Sequence, residues 1–76
     1  MIKELDIVIL TTDVPKEGLE RGDVGTVVHA YQDGQAFEVE FMTLDGETAA
    51  VVTVESSRIR PVGRRDISHA REMAAR

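Results

Sequence analysis

The feature that most constrains the fold is the run from Gly22 to Tyr31, where two glycines stand three residues apart before a β-branched stretch. Gly22 and Gly25 can adopt positive φ or admit a close backbone, so the pair predicts a turn followed by a bulge or bend. Residues 26–31 suit a pleated, half-buried surface. A strand rather than a helix follows the glycines, which argues against a phosphate-binding loop. The run therefore predicts a short, strongly bent sheet.

The length and composition of the chain limit the class of protein. Its 76 residues are enough for one small core. Cysteine is absent, so neither disulfides nor thiolate chemistry are available, and this composition is typical of a reducing compartment. No basic segment leads into an apolar stretch at the start, and no apolar run approaches the roughly 20 residues of a membrane span. We expect one soluble, cytoplasmic domain.

Alternation of apolar residues and turn signals predict five strands. They are residues 5–10, a central strand from Val24, and residues 36–43, 48–54 and 58–60. Two Asp-Gly pairs, at 33–34 and 45–46, favour tight hairpins, so residues 24–54 predict a three-stranded meander. Residues 55–57 are expected to form one helical turn, and Pro61 ends the last strand because it has no N–H to donate. The pattern predicts a mainly β fold, a small five-stranded barrel.

Three strands indicate which faces are buried. The third has the clearest core face, formed by Phe37, Val39 and Phe41. The first and fourth strands are apolar on both faces, which is unusual when one face is wet. Their second faces either lie under the C-terminal segment or contact another chain. The candidate contact residues in these strands are Val8, Leu10, Ala49 and Val51.

Charge is divided unevenly along the chain. Residues 1–57 carry three basic and twelve acidic residues, a balance of −9, whereas residues 58–76 carry six basic and two acidic residues, a balance of +4. Such asymmetry is typical of an interaction tail. Four arginines within eight residues can bind phosphate or an acidic protein surface, or can be ordinary solvated charges. They are Arg58, Arg60, Arg64 and Arg65.

Residues 63–76 predict a basic helical tail. Asp66 is suited to the N-cap, and apolar residues recur at helical spacing after it, namely Ile67, Ala70, Met73 and Ala74. A helix this short needs a docking surface, since isolated helices are marginal in water. Met73 on its apolar stripe is therefore a further candidate contact residue.

Two carboxylates and two histidines are the candidates for chemistry. Glu38 and Glu40 share one strand face, where they can transfer protons or hold a cation, or simply be solvated. Alternation places His29 with Val27 and Tyr31, as a proton-transfer pair or an ordinary hydrogen-bonding group. His69 lacks the further ligands that a metal requires. We predict no catalytic, cofactor or metal site.

A longer pattern resembles a known family. It comprises Leu5-Asp6-Ile7-Val8-Ile9-Leu10, Asp13-Val14-Pro15, Gly18-Leu19, Gly22-Asp23-Val24-Gly25-Thr26-Val27-Val28, Tyr31, Glu38-Val39-Glu40-Phe41, Gly46 and Arg60-Pro61-Val62. Over residues 2–62 it resembles the small bacterial domain-of-unknown-function family 4926. The glycine run before a Val-Glu-Phe strand is also similar to SH3-like barrels, including KOW modules and the β-subunit domain of nitrile hydratase. The resemblance implies an SH3-like barrel over residues 1–62 and no activity.

Two functions are compatible with these features. We predict a non-enzymatic protein-interaction module that self-associates or binds a small partner protein, such as a toxin or an enzyme subunit. The alternative is a KOW-type nucleic-acid-binding module that uses the C-terminal arginines on phosphates. The acidic body and the few aromatic residues argue against the alternative. No membrane partner is expected.

Overall fold

The computed structural model describes residues 1–73 and contains one five-stranded antiparallel sheet. The strands are β1 (Ile7–Leu10), β2 (Val24–Ala30), β3 (Ala36–Met42), β4 (Thr48–Glu55) and β5 (Ile59–Pro61), with short 3₁₀ turns at Pro15–Glu17 and Ser56–Arg58. Their order in the sheet is β4-β3-β2-β1-β5. The predicted mainly β fold with five strands is confirmed. Within residues 1–73, no helix is long and apolar enough to cross a membrane.

The sheet is bent but open. β4 and β5 are its two edges, yet only the Ser56–Arg58 turn joins them. Four gaps of about 4.8 Å would separate the edges of a flat sheet by about 19 Å, whereas a 3₁₀ turn advances only about 2 Å per residue. The sheet must therefore curve until the two edges approach each other at this end. In the described part of the chain β4 and β5 do not pair, so the predicted barrel is not closed.

The core lies on the concave face of the bent sheet. Its nine buried residues are Val8, Leu10, Leu19, Val27, Phe37, Val39, Phe41, Val54 and Ile59. The core face predicted for β3 is thus confirmed. Val8 and Leu10, which the sequence offers as contact residues, are 0% and 1% exposed and present no surface to a partner. Both faces of β1 are apolar, so alternation groups these two correctly but cannot say which face is inside.

The glycine run forms a turn and a close contact, and the bulge lies elsewhere. Gly22 has a φ of 95° and forms the predicted turn. Gly25 in β2 pairs with Phe41 of β3, and an added Cβ would be 2.6 Å from Val39 Cγ1. The irregularity in β2 falls between Val27 and His29, and it pairs His29 with Glu38. Because one residue is inserted there, His29 leaves the face of Val27 and becomes exposed, which corrects the alternation-based prediction.

The predicted tail helix is not found in residues 63–73. We call residues 62–73 the C-terminal arm. Asp66 does not cap a helix; its carboxylate accepts hydrogen bonds from the Gly63 amide (2.6 Å) and the Arg60 guanidinium. Ile67, on the expected apolar stripe, is 90% exposed. A helix here would lack the packing that short helices need, and charged side chains hold the arm instead. Ala74 lies outside the described residues.

Candidate functional site

The convex face of the sheet carries half-exposed apolar side chains. One row of paired residues crosses this face, with one residue on each of β1, β2, β3 and β4: Ile7, Thr26, Glu40 and Val51. Ile7 and Val51 are 52% and 51% exposed, and Val24 and Met42 are similar. We call Ile7, Val24, Met42, Val51 and the half-buried Ala49 the outer band. Several exposed apolar side chains on one face of a sheet are typical of a contact surface.

Two carboxylates lie within this face. Glu38 accepts hydrogen bonds from the hydroxyls of Thr53 (2.5 Å) and Tyr31 (3.3 Å). Glu40 accepts one from the Thr48 hydroxyl (2.5 Å). Both side chains are half-buried on the shared face that the sequence predicts. These bonds make the pair hydrogen-bond acceptors on an acidic face. No group of three potential metal ligands occurs among residues 1–73.

An open groove lies beside the C-terminal arm, and outer-band residues are part of its lining, namely Ile7, Val24, Met42 and Ala49. Residues Ser68 to Met73 line one side, and the turn between β3 and β4 lines the other with Leu44, Asp45 and Glu47. Leu44 is 91% exposed. The groove therefore combines an apolar floor with carboxylates at its rim. Basic segments with apolar side chains are the chemistry that such a groove can accept.

Arg71 holds the distal part of the arm to the sheet. Its Nε and Nη2 atoms bind the two carboxylate oxygens of Asp23 at 2.9 and 2.6 Å, and Nη2 also donates to the Gly18 carbonyl at 3.0 Å. Such a bidentate pair is among the stronger side-chain contacts. Met73 then packs against the core cluster. Arg71 and Asp23 are 48 residues apart, and no local pattern in the sequence links them.

A second ion pair holds the proximal part of the arm. Arg60 in β5 donates to Asp66 from Nη1 (3.0 Å) and Nη2 (2.9 Å). The two anchors, Arg60 and Asp23, thus lie on opposite sides of β1. Ile9 lies between them, paired with Arg60 and Val24, and it is 7% exposed although it lies outside the core cluster. Because the arm is attached on both sides of Ile9, we interpret it as the segment that covers this residue, which is one of the two alternatives that the sequence left for β1.

Both anchoring carboxylates have lowered pKa values. Hydrogen bonds from Arg60 and from the Gly63 amide lower the pKa of Asp66 from 3.8 to about 2. At Asp23, burial raises the pKa, but hydrogen bonds from Arg71 and the Glu20 amide outweigh burial and leave it below 3.8. A lowered pKa in the folded state means that folding favours the charged form. The arm is therefore held by groups that require ionised aspartates.

Acidification should release the arm. Because the folded pKa of Asp66 is lowered, its stabilising contribution is complete above 3.8 and is lost as the pH falls toward about 2. Carbon-13 NMR of the aspartate carboxyls should show a midpoint near 2 for Asp66, and Arg60→Ala should raise it toward the ordinary value. A midpoint near 3.8 in the unsubstituted protein would show that the Arg60–Asp66 pair does not form in solution.

The remaining sequence-predicted residues are dispersed. Of the four clustered arginines, Arg60 is occupied by Asp66, while Arg58, Arg64 and Arg65 are exposed and form no ion pair within residues 1–73. His29 lies edge-on to Tyr31, with ring centres 4.8 Å apart, and its Nδ1 is 3.6 Å from Glu4. His69 is exposed beside the groove. The structure does not gather these residues into one site.

Comparison with known proteins identifies a family. A family model matches residues 4–61, and its description is "Domain of unknown function (DUF4926)". The match covers the sheet and most of the residues on which the resemblance rests. Comparisons with curated proteins and with solved structures gave no match.

Proposed function

We propose that this chain, which belongs to the DUF4926 family, is a non-enzymatic protein-interaction module whose outer band binds a basic, partly apolar segment of a partner protein. The observation that carries the proposal is the outer band itself. Its side chains are about half exposed, and Ile7 and Val51 lie in register across four strands. Burying such side chains against a partner is favourable by about 25 cal/mol per Å² of apolar area.

The charge of the surface favours a basic partner. Glu38 and Glu40 lie within the convex face, and Asp45 and Glu47 line the groove beside it. The body as a whole has three basic against twelve acidic residues, a balance of −9 over residues 1–57. Complementary charge steers association and excludes acidic competitors. A cationic segment with apolar side chains therefore fits both properties of the face.

The charges on the outer face favour a different protein as the partner over a second copy of this one. A symmetric dimer through the outer band would bring Glu38 and Glu40 of one protomer against those of the other, and like charges destabilise such contacts. Self-association remains a prediction, and light scattering at tens of micromolar tests it. A dimer that Val51→Ser disrupts would assign the outer band to a second copy and overturn the proposed partner.

We also propose that the fold is related to SH3-like barrels. The strand order, in which β1 pairs with both β2 and β5, supports this relation. The single 3₁₀ turn between β4 and β5 supports it as well, since it requires a strongly bent sheet. The superfold hosts many unrelated roles, so it adds nothing to the choice of partner.

Defined peptides test the proposed function. A short synthetic peptide of alternating arginine and valine, here the basic peptide, should bind and shift the NMR signals of Val51 and Met42. The same peptide with glutamate in place of arginine should not bind. Glu40→Gln should weaken binding by about threefold, the effect of one partly exposed ion pair, while Glu17→Gln on the loop after β1 should leave it unchanged. Equal binding of both peptides, or equal effects of both substitutions, would overturn the proposal.

The nucleic-acid alternative is tested with the same sample. Three exposed arginines, Arg58, Arg64 and Arg65, are its support. Labelled RNA and duplex DNA are titrated at about 50 mM salt, where phosphate binding is strong and falls steeply as salt rises. Salt-sensitive binding that Arg64→Ala and Arg65→Ala abolish would favour the alternative over a protein partner.

A further inference from the structure

The β4 edge of the sheet has free backbone hydrogen-bonding groups. The Ser56 amide donates to the Gln35 carbonyl at 2.9 Å, and this bond continues the register in which Phe37 pairs with Val54. Hydrogen-bonded and non-hydrogen-bonded pairs alternate in an antiparallel ladder. The backbone groups of Val54 and Val52 therefore face β3, and those of Val51, Thr53 and Glu55 face outward. No other backbone in residues 1–73 bonds to these outward groups.

The side chains of β4 do not protect this edge. Natural edge strands are usually guarded by charges, prolines or short length. From Thr48 to Val54 the sequence contains no charged residue and no proline, and the strand is eight residues long. Its register irregularity lies at the start, where Phe41 pairs with Ala50 and Met42 with Thr48, away from Val51 and Thr53. Val51 and Thr53, whose backbone groups face outward, also have exposed side chains. β4 is thus suited to accept another strand.

The opposite edge of the sheet, β5, is better protected. The Val62 amide donates to the Ile7 carbonyl, so alternation turns the backbone groups of Ile59 and Pro61 outward. The Ile59 amide donates to the Ser56 carbonyl, and Pro61 has no amide hydrogen. The Pro61 carbonyl accepts from Arg60 Nη1 at 3.2 Å. Two of the outward groups of β5 are therefore bonded within the chain and Pro61 removes a third, which singles out β4 as the more open edge.

Charges around β4 favour a cationic strand over a second copy of β4. Glu38 is paired with Thr53 and Glu40 with Val51, while Glu47 and the terminal Glu55 flank the strand. If a second copy of β4 paired antiparallel about Val51, Glu47 of each copy would face Glu55 of the other. Like charges directly opposite are destabilising. A strand with cationic side chains would instead find a carboxylate beside each end and two more on the convex face.

We propose that the β4 edge binds an extended basic segment of a partner protein as a sixth strand, through the backbone groups of Val51 and Thr53. The inference rests on the proposed function and specifies how the partner is held. Main-chain bonds supply affinity, and pockets for alternate side chains supply specificity in such strand addition. On the convex face the added strand lies beside Val51 and Thr53, whose partners in β3 are Glu40 and Glu38, so its residues there are cationic and their aliphatic stems cover Val51. Its intervening residues face the half-buried Ala50 and Val52 and are apolar.

Methylated peptides separate strand addition from simple contact. The basic peptide is compared with two versions that are N-methylated at alternate amides, one set on each edge of the peptide strand. Methylation of the edge that faces β4 should weaken binding about tenfold or more, and methylation of the other edge should have little effect. Bound peptide should also slow hydrogen exchange of the Val51 and Thr53 amides. Val51→Lys should weaken binding about tenfold by repelling the cations, whereas Val28→Lys, on an exposed valine of β2, should not.

Each outcome of this experiment is informative. If the basic peptide binds and neither methylation pattern matters, strand addition is overturned while the proposed function stands. If no version binds, the proposed function fails together with the inference. If the Val51 and Thr53 amides are protected without peptide and light scattering shows a dimer, the edge is occupied by a second copy and the inference is overturned.

Discussion

We expect Leu10→Ala to lower the free energy of unfolding by about 2–5 kcal/mol, the cost of removing a fully buried leucine and leaving a cavity. Leu10 is 1% exposed and belongs to the core cluster. A domain of this size is expected to have a total stability of only about 4–11 kcal/mol. The substitution should therefore strongly lower the urea concentration at the unfolding midpoint, or leave the protein largely unfolded at room temperature. Circular dichroism during urea titration measures the effect.

The matched control lies on the same strand with the opposite orientation. Ile7 is 52% exposed on the convex face, so Ile7→Ala should cost less than about 1 kcal/mol. Equal losses of stability at both positions would show that β1 does not have the inner and outer faces described above.

Local sequence signals were sufficient to predict the strands and the hairpins. The two Asp-Gly pairs place Gly34 and Gly46 at φ values of 71° and 95°, as tight turns require. Alternation in β3 identifies its core face because the opposite face carries Glu38 and Glu40. Both signals work because they depend on residues that are neighbours in the chain or across one strand.

Contacts between distant segments could not be predicted in the same way. The helical spacing in the tail is compatible with a helix, but the Arg60–Asp66 and Arg71–Asp23 pairs hold residues 62–73 in another conformation. The second pair joins residues 48 apart, and many other carboxylates in an acidic chain are equally plausible partners. Of the outer band, the sequence named only Ala49 and Val51 as contact residues, for a related reason. Val24 and Met42 join Ile7 and Val51 only once the strand register is known.

The inserted residue in β2 shows how a small irregularity changes a candidate site. Alternation assigns His29 to the face of Val27, and a shift of one residue transfers it to the convex face beside Glu38. The glycines suggest an irregularity in this strand but place it near Gly25. In the structure, Gly25 instead leaves room for the close approach of β3, and this role can be tested directly.

We expect Gly25→Ala to lower the free energy of unfolding by about 2–3 kcal/mol through overpacking. An added Cβ would lie 2.6 Å from Val39 Cγ1, 2.9 Å from the Glu40 carbonyl oxygen and 2.9 Å from the Phe41 ring. The carbonyl belongs to the paired backbone of β3 and cannot move without disturbing the ladder. Thermal and urea denaturation measure the loss. Gly25 does not have a positive φ, so strain in its own backbone contributes nothing.

Gly22 provides the control that distinguishes a steric clash from backbone strain. It has a φ of 95° and no heavy atom within 4 Å of an added Cβ, so Gly22→Ala should cost only the strain, about 1–2 kcal/mol. Shortening Val39 should relieve part of the clash at Gly25 and none of the strain at Gly22. We therefore expect Val39→Ala to be less harmful in the Gly25→Ala background than alone. Additive losses would show that β2 and β3 do not approach each other as closely as the bent sheet requires.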